Sequence, residues 1–364
     1  MNPARRALTL LPPCATTGVG SLPHTQLELA LQMALHHDLA FLPQLPAQNP
    51  SELMIPQALE GLPGLTFDAE GVCTIALKTW QQESASFGAR LEAALSSGNP
   101  ADFEPSAAAC RALKPFLWEV EHRKLPFAKV QLAGPATVRW VARLDDGQPA
   151  SSIPALDQQI FRLELARTTA LVKAVRRAGA TAVIFLDEPG LYALDMKDVR
   201  HRVVHQELKM LVVALQREGA LVGLHCCSNT DWRAVLELGL DILSIDARLS
   251  LDAVLEERAA FWRFLADGST LALGIVPTDL KSAYTLSELV ESVEASLRAT
   301  TPSQMSFEGV LARLLLSPAC GLGMRSVLDA ERIIAEVRQA QRMLKDVVAG
   351  AGSSVTASST SLRS

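Results

Sequence analysis

Short apolar runs, each closed by a turn and followed by a longer stretch with helical spacing, recur along most of this chain. The runs fall at residues 15–18, 40–42, 127–132, 181–186, 220–224, 242–245, 271–275 and 310–316. Between them, apolar positions three and four apart predict helices over 26–36, 158–178, 198–218, 232–237, 286–299 and 328–348. Strands that are apolar at nearly every position and alternate with helices read as a parallel sheet covered by helices. The pattern predicts an α/β fold, a closed (β/α)8 TIM barrel, whose usual length is ~250 residues plus insertions.

The extra length falls in two places. Residues 45–115 are expected to form a helical or hairpin insertion after the second strand. The Gly/Ser/Thr-rich end cannot bury enough apolar surface to stay ordered. The expected organisation is a flexible leader (1–13), one barrel domain (14–349) and a disordered Ser-rich tail (350–364).

Composition narrows the partners. The chain has 364 residues, 49% of them hydrophobic, ample for one large core. Its net charge is −5 with Lys and Arg scattered, so no basic stripe points to nucleic acid or an anionic membrane surface, and a small-molecule partner is expected. No apolar run reaches the ~18 residues of a membrane span. Leu8, Leu10 and Leu11 are cut short by Pro12 and Pro13, which is not a signal-peptide pattern, so a cytoplasmic location is expected. Six cysteines without a CxxC pair do not make a disulfide framework; a Cys/His cluster then points to metal or catalysis.

The sharpest local feature is the apolar run that ends in His225-Cys226-Cys227. At the period of an extended chain, His225 and Cys227 face one way and Cys226 the other. They could be a core histidine beside buried cysteines, or two ligands of one metal at a barrel's C-terminal rim, where active sites sit. Two further strand ends favour the metal: 241–246 closes on Asp246, and the last run leads to Cys320. Zinc takes such ligands, four in structural sites and three plus an open position in catalytic ones. The run at 181–186 ends in Asp187 and Glu188, which are costly to bury unpartnered; Asp187 could cap a helix, or the pair could receive a substrate ammonium group. The turn containing Gly18, Gly20 and Ser21 offers backbone N–H groups; its GxG is not completed to the GxGxxG of a nucleotide site, and a carboxylate suits the spacing equally well.

With TGVGSLP (17–23), VQLAGPAT (130–137), FLDEPGL (185–191), HCC (225–227), DILSID (241–246) and SPACGLGMR (317–325) in order, the chain resembles the catalytic, C-terminal half of cobalamin-independent methionine synthase, in the superfamily that also holds uroporphyrinogen decarboxylase. The resemblance implies zinc ligands at His225, Cys227, Asp246 and Cys320. It also implies amino-acid substrate contacts at Ser21 and Asp187, with Gly20 and Glu188 as candidate substrate contacts beside them, and methyl transfer to the sulfur of homocysteine, giving methionine.

Three departures stand out. Asp246 is where the family usually has Glu. The family's N-terminal half, which helps hold folate, has no counterpart in this sequence. Residues 273–278 lack the histidine that serves the family as a proton donor. They turn the expected donor from methyltetrahydrofolate towards a methylcorrinoid, held on a separate corrinoid protein. Two other readings stay open: a corrinoid-dependent methyltransferase for another thiol, and a non-catalytic barrel that binds zinc or a corrinoid.

Overall fold

The computed structural model of the chain describes residues 8–279 and 283–358. Its strands are β1 (Ala15–Thr16), β2 (Leu65–Phe67), β3 (Cys73–Ile75), β4 (Phe127–Ala133), β5 (Arg143–Leu144), β6 (Thr181–Asp187), β7 (Leu221–Cys226), β8 (Ile242–Asp246), β9 (Thr270–Val276) and β10 (Leu314–Pro318). Seven of them form one sheet in the order β1-β10-β9-β8-β7-β6-β4, with every neighbouring pair parallel.

The sheet curls. Each strand gives one face to a single inner cluster that contains Ala15, Phe127, Phe185, Leu221, Ile242, Ala272 and Leu315. A flat sheet could not bring β1 and β4, at opposite edges, onto the same cluster. The outward faces pack under helices in a larger cluster that includes Val130, Ile184, Val222, Leu243, Leu273 and Leu316. Burial on both faces explains why these strands read as near-continuous apolar runs.

The predicted strand at 40–42 is not a regular strand. It forms an isolated parallel bridge, Phe41 with Lys129. The Leu39 N–H donates to the Thr16 carbonyl at 3.0 Å, and the Leu42 N–H to the Lys129 carbonyl at 2.8 Å, so the segment is bonded to both edges of the sheet. Pro43 offers no N–H and interrupts the pairing, which resumes at Gln44 in a second isolated bridge, to Ser21. The regular strands therefore form a curled half-barrel of seven parallel strands, with this segment bridging its two edges.

Other boundaries also differ. The predicted strand 310–316 begins only at Leu314, because Val310 and Leu311 end a short helix, Phe307–Leu311, whose N-terminus is capped by Ser306. The expected leader is partly packed: Leu8 lies in the inner cluster with Leu11 against it, while 1–7 are outside the described residues. The last helix runs Val327–Ser358, past the start of the expected disordered tail, of which 359–364 are outside the described residues. Among the described residues, no helix is long and apolar enough to cross a membrane.

The insertion contains both a hairpin and helices. β2 and β3 pair antiparallel, and β5, from beyond β4, joins β3 in parallel. With the helices Met54–Leu59 and Leu77–Ser96 they enclose a second core that includes Leu59, Ile75, Trp80, Phe87 and Leu91. An ion pair fastens this unit to the long helix Pro154–Arg177, where the Arg167 guanidinium donates to Glu60 Oε2 at 2.8 Å.

Candidate functional site

β7 aims one histidine into the curled sheet. Leu221, Gly223 and His225 share a face, and a Cβ on Gly223 would stand 2.8 Å from the Phe185 ring. Glycine there lets the strand lie against that ring, two residues before the imidazole. Across β7 and β8, His225 is in register with Ser244, and its Nδ1 is 2.9 Å from the Ser244 hydroxyl. The other ring nitrogen, Nε2, is buried and has no hydrogen-bond partner.

Cys227 follows the end of β7, and Cys320 follows the end of β10. Their sulfurs are 3.9 Å apart, and with a ring nitrogen of His225 all three ligand atoms lie within 4.8 Å of one another. Two zinc–sulfur bonds of about 2.3 Å at a tetrahedral angle span about 3.8 Å between sulfurs, so this spacing suits one zinc ion. An imidazole nitrogen left without a partner fits the same ion, and the Ser244 hydroxyl on the far nitrogen is the outer support such ligands commonly have. The two thiols share a hydrogen bond that, with His225, holds Cys320 below the ordinary thiol range against the opposing effect of burial.

Asp187 ends β6 directly opposite His225. It is buried, and Oδ1 has no hydrogen-bond partner. Burial pushes its pKa up to about 6, while Lys129 and His225 pull it down. Asp187, His225, Cys227 and Cys320 line one cavity of about 220 Å3 together with Val19 and Ser21. That is smaller than the ~300–1,000 Å3 of pockets for drug-sized ligands and suits a small acceptor. Ser21 joins the first strand's turn to the Cys320 loop: its Oγ accepts the Gly323 N–H at 3.2 Å, and its carbonyl accepts the Leu322 N–H at 2.9 Å.

Residues 127–343 match the family described as the catalytic domain of cobalamin-independent synthase. The chain belongs to this family. The match begins at β4 and takes in Asp187, His225, Cys227 and Cys320; Ser21 precedes it. No curated protein matches the chain. The cobalamin-independent synthase family points to an enzyme of the methionine synthase type and to a thiol substrate such as homocysteine.

Not every expected family position joins the site. Asp246 stands at the N-terminus of the helix Ala247–Glu256, where its Oδ1 accepts the N–H groups of Arg248 (2.9 Å) and Leu249 (3.1 Å). It is outside the close group of three ligand atoms. A carboxylate that caps its own helix is held back from the metal side by those two bonds. Glu188 points away from the cavity, and its oxygens accept from the Ala136 N–H (3.0 Å), the Thr137 N–H (2.7 Å) and the Thr137 hydroxyl (2.6 Å). It serves the N-terminus of the helix Pro135–Val141 rather than a substrate. Gly20 does not line the cavity; its flanking residues Val19 and Ser21 do.

The cavity also holds residues that sequence reasoning passed over. Glu52, Leu53 and Met54 come from the insertion, and Gln44 from the segment before it. Glu52 is buried, with Oε2 accepting the Leu45 N–H at 2.9 Å and Oε1 3.3 Å from Arg111 Nε. Burial raises its pKa, against the Leu45 hydrogen bond and Arg111. The Pro50-Ser51-Glu52 start of a helical turn was visible in the sequence, but nothing local tied it to a strand end.

Proposed function

We propose that this chain is a zinc-dependent S-methyltransferase that moves a methyl group to the thiol of homocysteine, giving methionine. The observation that carries the reading is the buried, unpartnered His225 Nε2 beside two cysteine sulfurs 3.9 Å apart. His225, Cys227 and Cys320 would hold the ion, leaving a fourth position open, the arrangement of a catalytic rather than a structural zinc site. When bound, zinc supplies Lewis acidity that favours the thiolate form of a sulfur acceptor near neutral pH.

The remaining work belongs to the chain. Asp187, buried and with one oxygen free of partners, accepts from the acceptor's ammonium group, and Glu52 adds a second carboxylate on the same cavity. The turn at Val19–Ser21 faces the acceptor's carboxylate. Together they fix the sulfur so that it meets the methyl carbon in line: the new S–C bond forms as the donor's bond to the methyl breaks, and the electron pair leaves with the donor. Nothing in the cavity or in the family match favours a methylcorrinoid or a corrinoid protein as donor.

The reading includes a closed (β/α)8 barrel over 14–349, with the segment at 39–44 as its irregular eighth stave, bonded to the strands on either side. The test is metal analysis of the purified chain together with methyl transfer to homocysteine. One equivalent of zinc with methionine formed is the expected result. Zinc without transfer to any thiol would replace the enzyme reading with a binding one, and a metal-free chain that remains active would end the zinc reading.

A further inference from the structure

Lys129 is a buried ammonium that the proposed reaction has not yet used. It is the third residue of β4, and alternation puts Phe127, Lys129 and Gln131 on the inward face. Its Nζ donates to the Val19 carbonyl at 2.6 Å and to Gln131 Oε1 at 3.2 Å, and it stands 4.6 Å from the centre of the Phe185 ring. Among the described residues, no carboxylate forms an ion pair with it, and a charge buried without one is expensive to keep. Burial lowers its pKa to about 8, with Asp187 opposing that shift, so the ammonium form still predominates at neutral pH.

The bonds around Lys129 converge on one stretch of backbone. Val19, whose carbonyl it holds, lines the cavity. Gln131, its other partner, donates to the Leu42 carbonyl at 2.8 Å and lies so close to Gly20 that a Cβ there would stand 2.7 Å from its amide nitrogen. The 19–21 turn is thus clamped from below by Lys129 and Gln131, while Ser21 is tied from above to the Cys320 loop.

We infer that Lys129 is a positioning residue that gives this site its preference for a carboxylate-bearing thiol, by holding the 19–21 turn in its receiving shape and setting a fixed positive charge behind it. This rests on the acceptor reading of the cavity. A lysine buried on the inward face without an ion pair, near an Asp187 that the reading commits to the acceptor's ammonium group, is explained if a further negative charge arrives with the substrate.

The test titrates the full-length, zinc-loaded chain with two thiols, homocysteine and 3-aminopropane-1-thiol, which is homocysteine without its carboxylate. The unaltered chain should bind homocysteine more tightly. Lys129→Met keeps the aliphatic bulk and loses the charge; it should weaken homocysteine about tenfold or more and change the aminothiol by less than about twofold. Equal weakening of both thiols, or no weakening of homocysteine, overturns the assignment. Should Lys129→Met not fold, Lys129→Gln, which keeps a donor for the Val19 carbonyl, is read by the same two titrations. If the unaltered chain binds both thiols equally, the carboxylate preference is overturned while the acceptor reading stands. If it binds neither, both fall.

Discussion

Asp187 and His225 are register partners across β6 and β7, so a carboxylate and an imidazole leave adjacent strands side by side at one wall of the cavity. The two then diverge in role. His225 has Ser244 behind it and a free nitrogen in front, whereas Asp187 is buried with an oxygen that nothing in the protein satisfies. Neighbours so close can be separated by mutation only if one serves the metal and the other the acceptor.

Asp187→Asn should therefore leave zinc stoichiometry intact and raise the KM for homocysteine. Loss of one charge-assisted hydrogen bond, about 1.5–3 kcal/mol, corresponds to roughly 10–100-fold. Metal analysis and steady-state kinetics on the same preparation check it. Marked zinc loss in this variant would contradict the division of roles.

Cys227→Ser and Cys320→Ser should lose zinc and activity together, because a hydroxyl replaces a thiolate that zinc prefers. Ser244→Ala is the subtler change. It removes the group 2.9 Å from His225 Nδ1 and should weaken zinc binding about 10–100-fold without changing the ligand set. Competition with a chelator of known affinity reads this. An unchanged zinc affinity would mean that packing alone orients the ring.

Stability should depend on His37. The ring is buried with neither nitrogen bonded, and burial lowers its pKa to about 3, aided by Arg338 and His36 and opposed by Asp38. The folded chain thus keeps it neutral at pH values where the unfolded chain protonates it. Its contribution is complete above about pH 6.5 and is lost as pH falls from there towards 3, about 2 kcal/mol by pH 5. Urea unfolding at pH 5 and pH 8 should show this loss, and His37→Phe should shrink it. An identical pH slope in the variant would assign the dependence elsewhere.

Glu164 is fully buried on the helix Pro154–Arg177 with both carboxylate oxygens unpartnered, and burial, reinforced by Glu188, holds its pKa well above the ordinary range. Burial thus works against its charged form. Glu164→Met should raise stability by about 1–3 kcal/mol, since an unsatisfied polar group of that size gives way to an apolar one. A lower melting temperature would reveal a hydrogen bond that the carboxyl makes in solution.

Much of this was legible in the sequence for a local reason. β4 and β6 to β9 are buried on both faces, so each shows as an apolar run, and Asp187, His225 and Cys227 were visible because each sits where such a run ends. Asp246 misled because a carboxylate at a strand end looks the same whether it turns to a metal or caps the next helix. Glu188 misled in the same way. Glu52 was hidden because only the folding of the insertion brings it to the cavity, and Lys129 because a lysine within an apolar run carries no local mark of the carbonyl it will hold. The 40–42 segment was read as a strand because it is apolar, and its pairing is reduced to isolated bridges on either side of Pro43.

The insertion shares a second core with β4 and the Pro154–Arg177 helix, to which Glu60 and Arg167 also pin it, and it lends Glu52, Leu53 and Met54 to the cavity wall. The candidate metal ligands, by contrast, come from the end of β7, the residue after it and the loop after β10. One wall of the cavity thus comes from the insertion, while Asp187, the 19–21 turn and the His/Cys/Cys cluster come from the sheet and its loops. Substitutions in that wall can change the shape offered to a sulfur compound while His225, Cys227 and Cys320 keep their places.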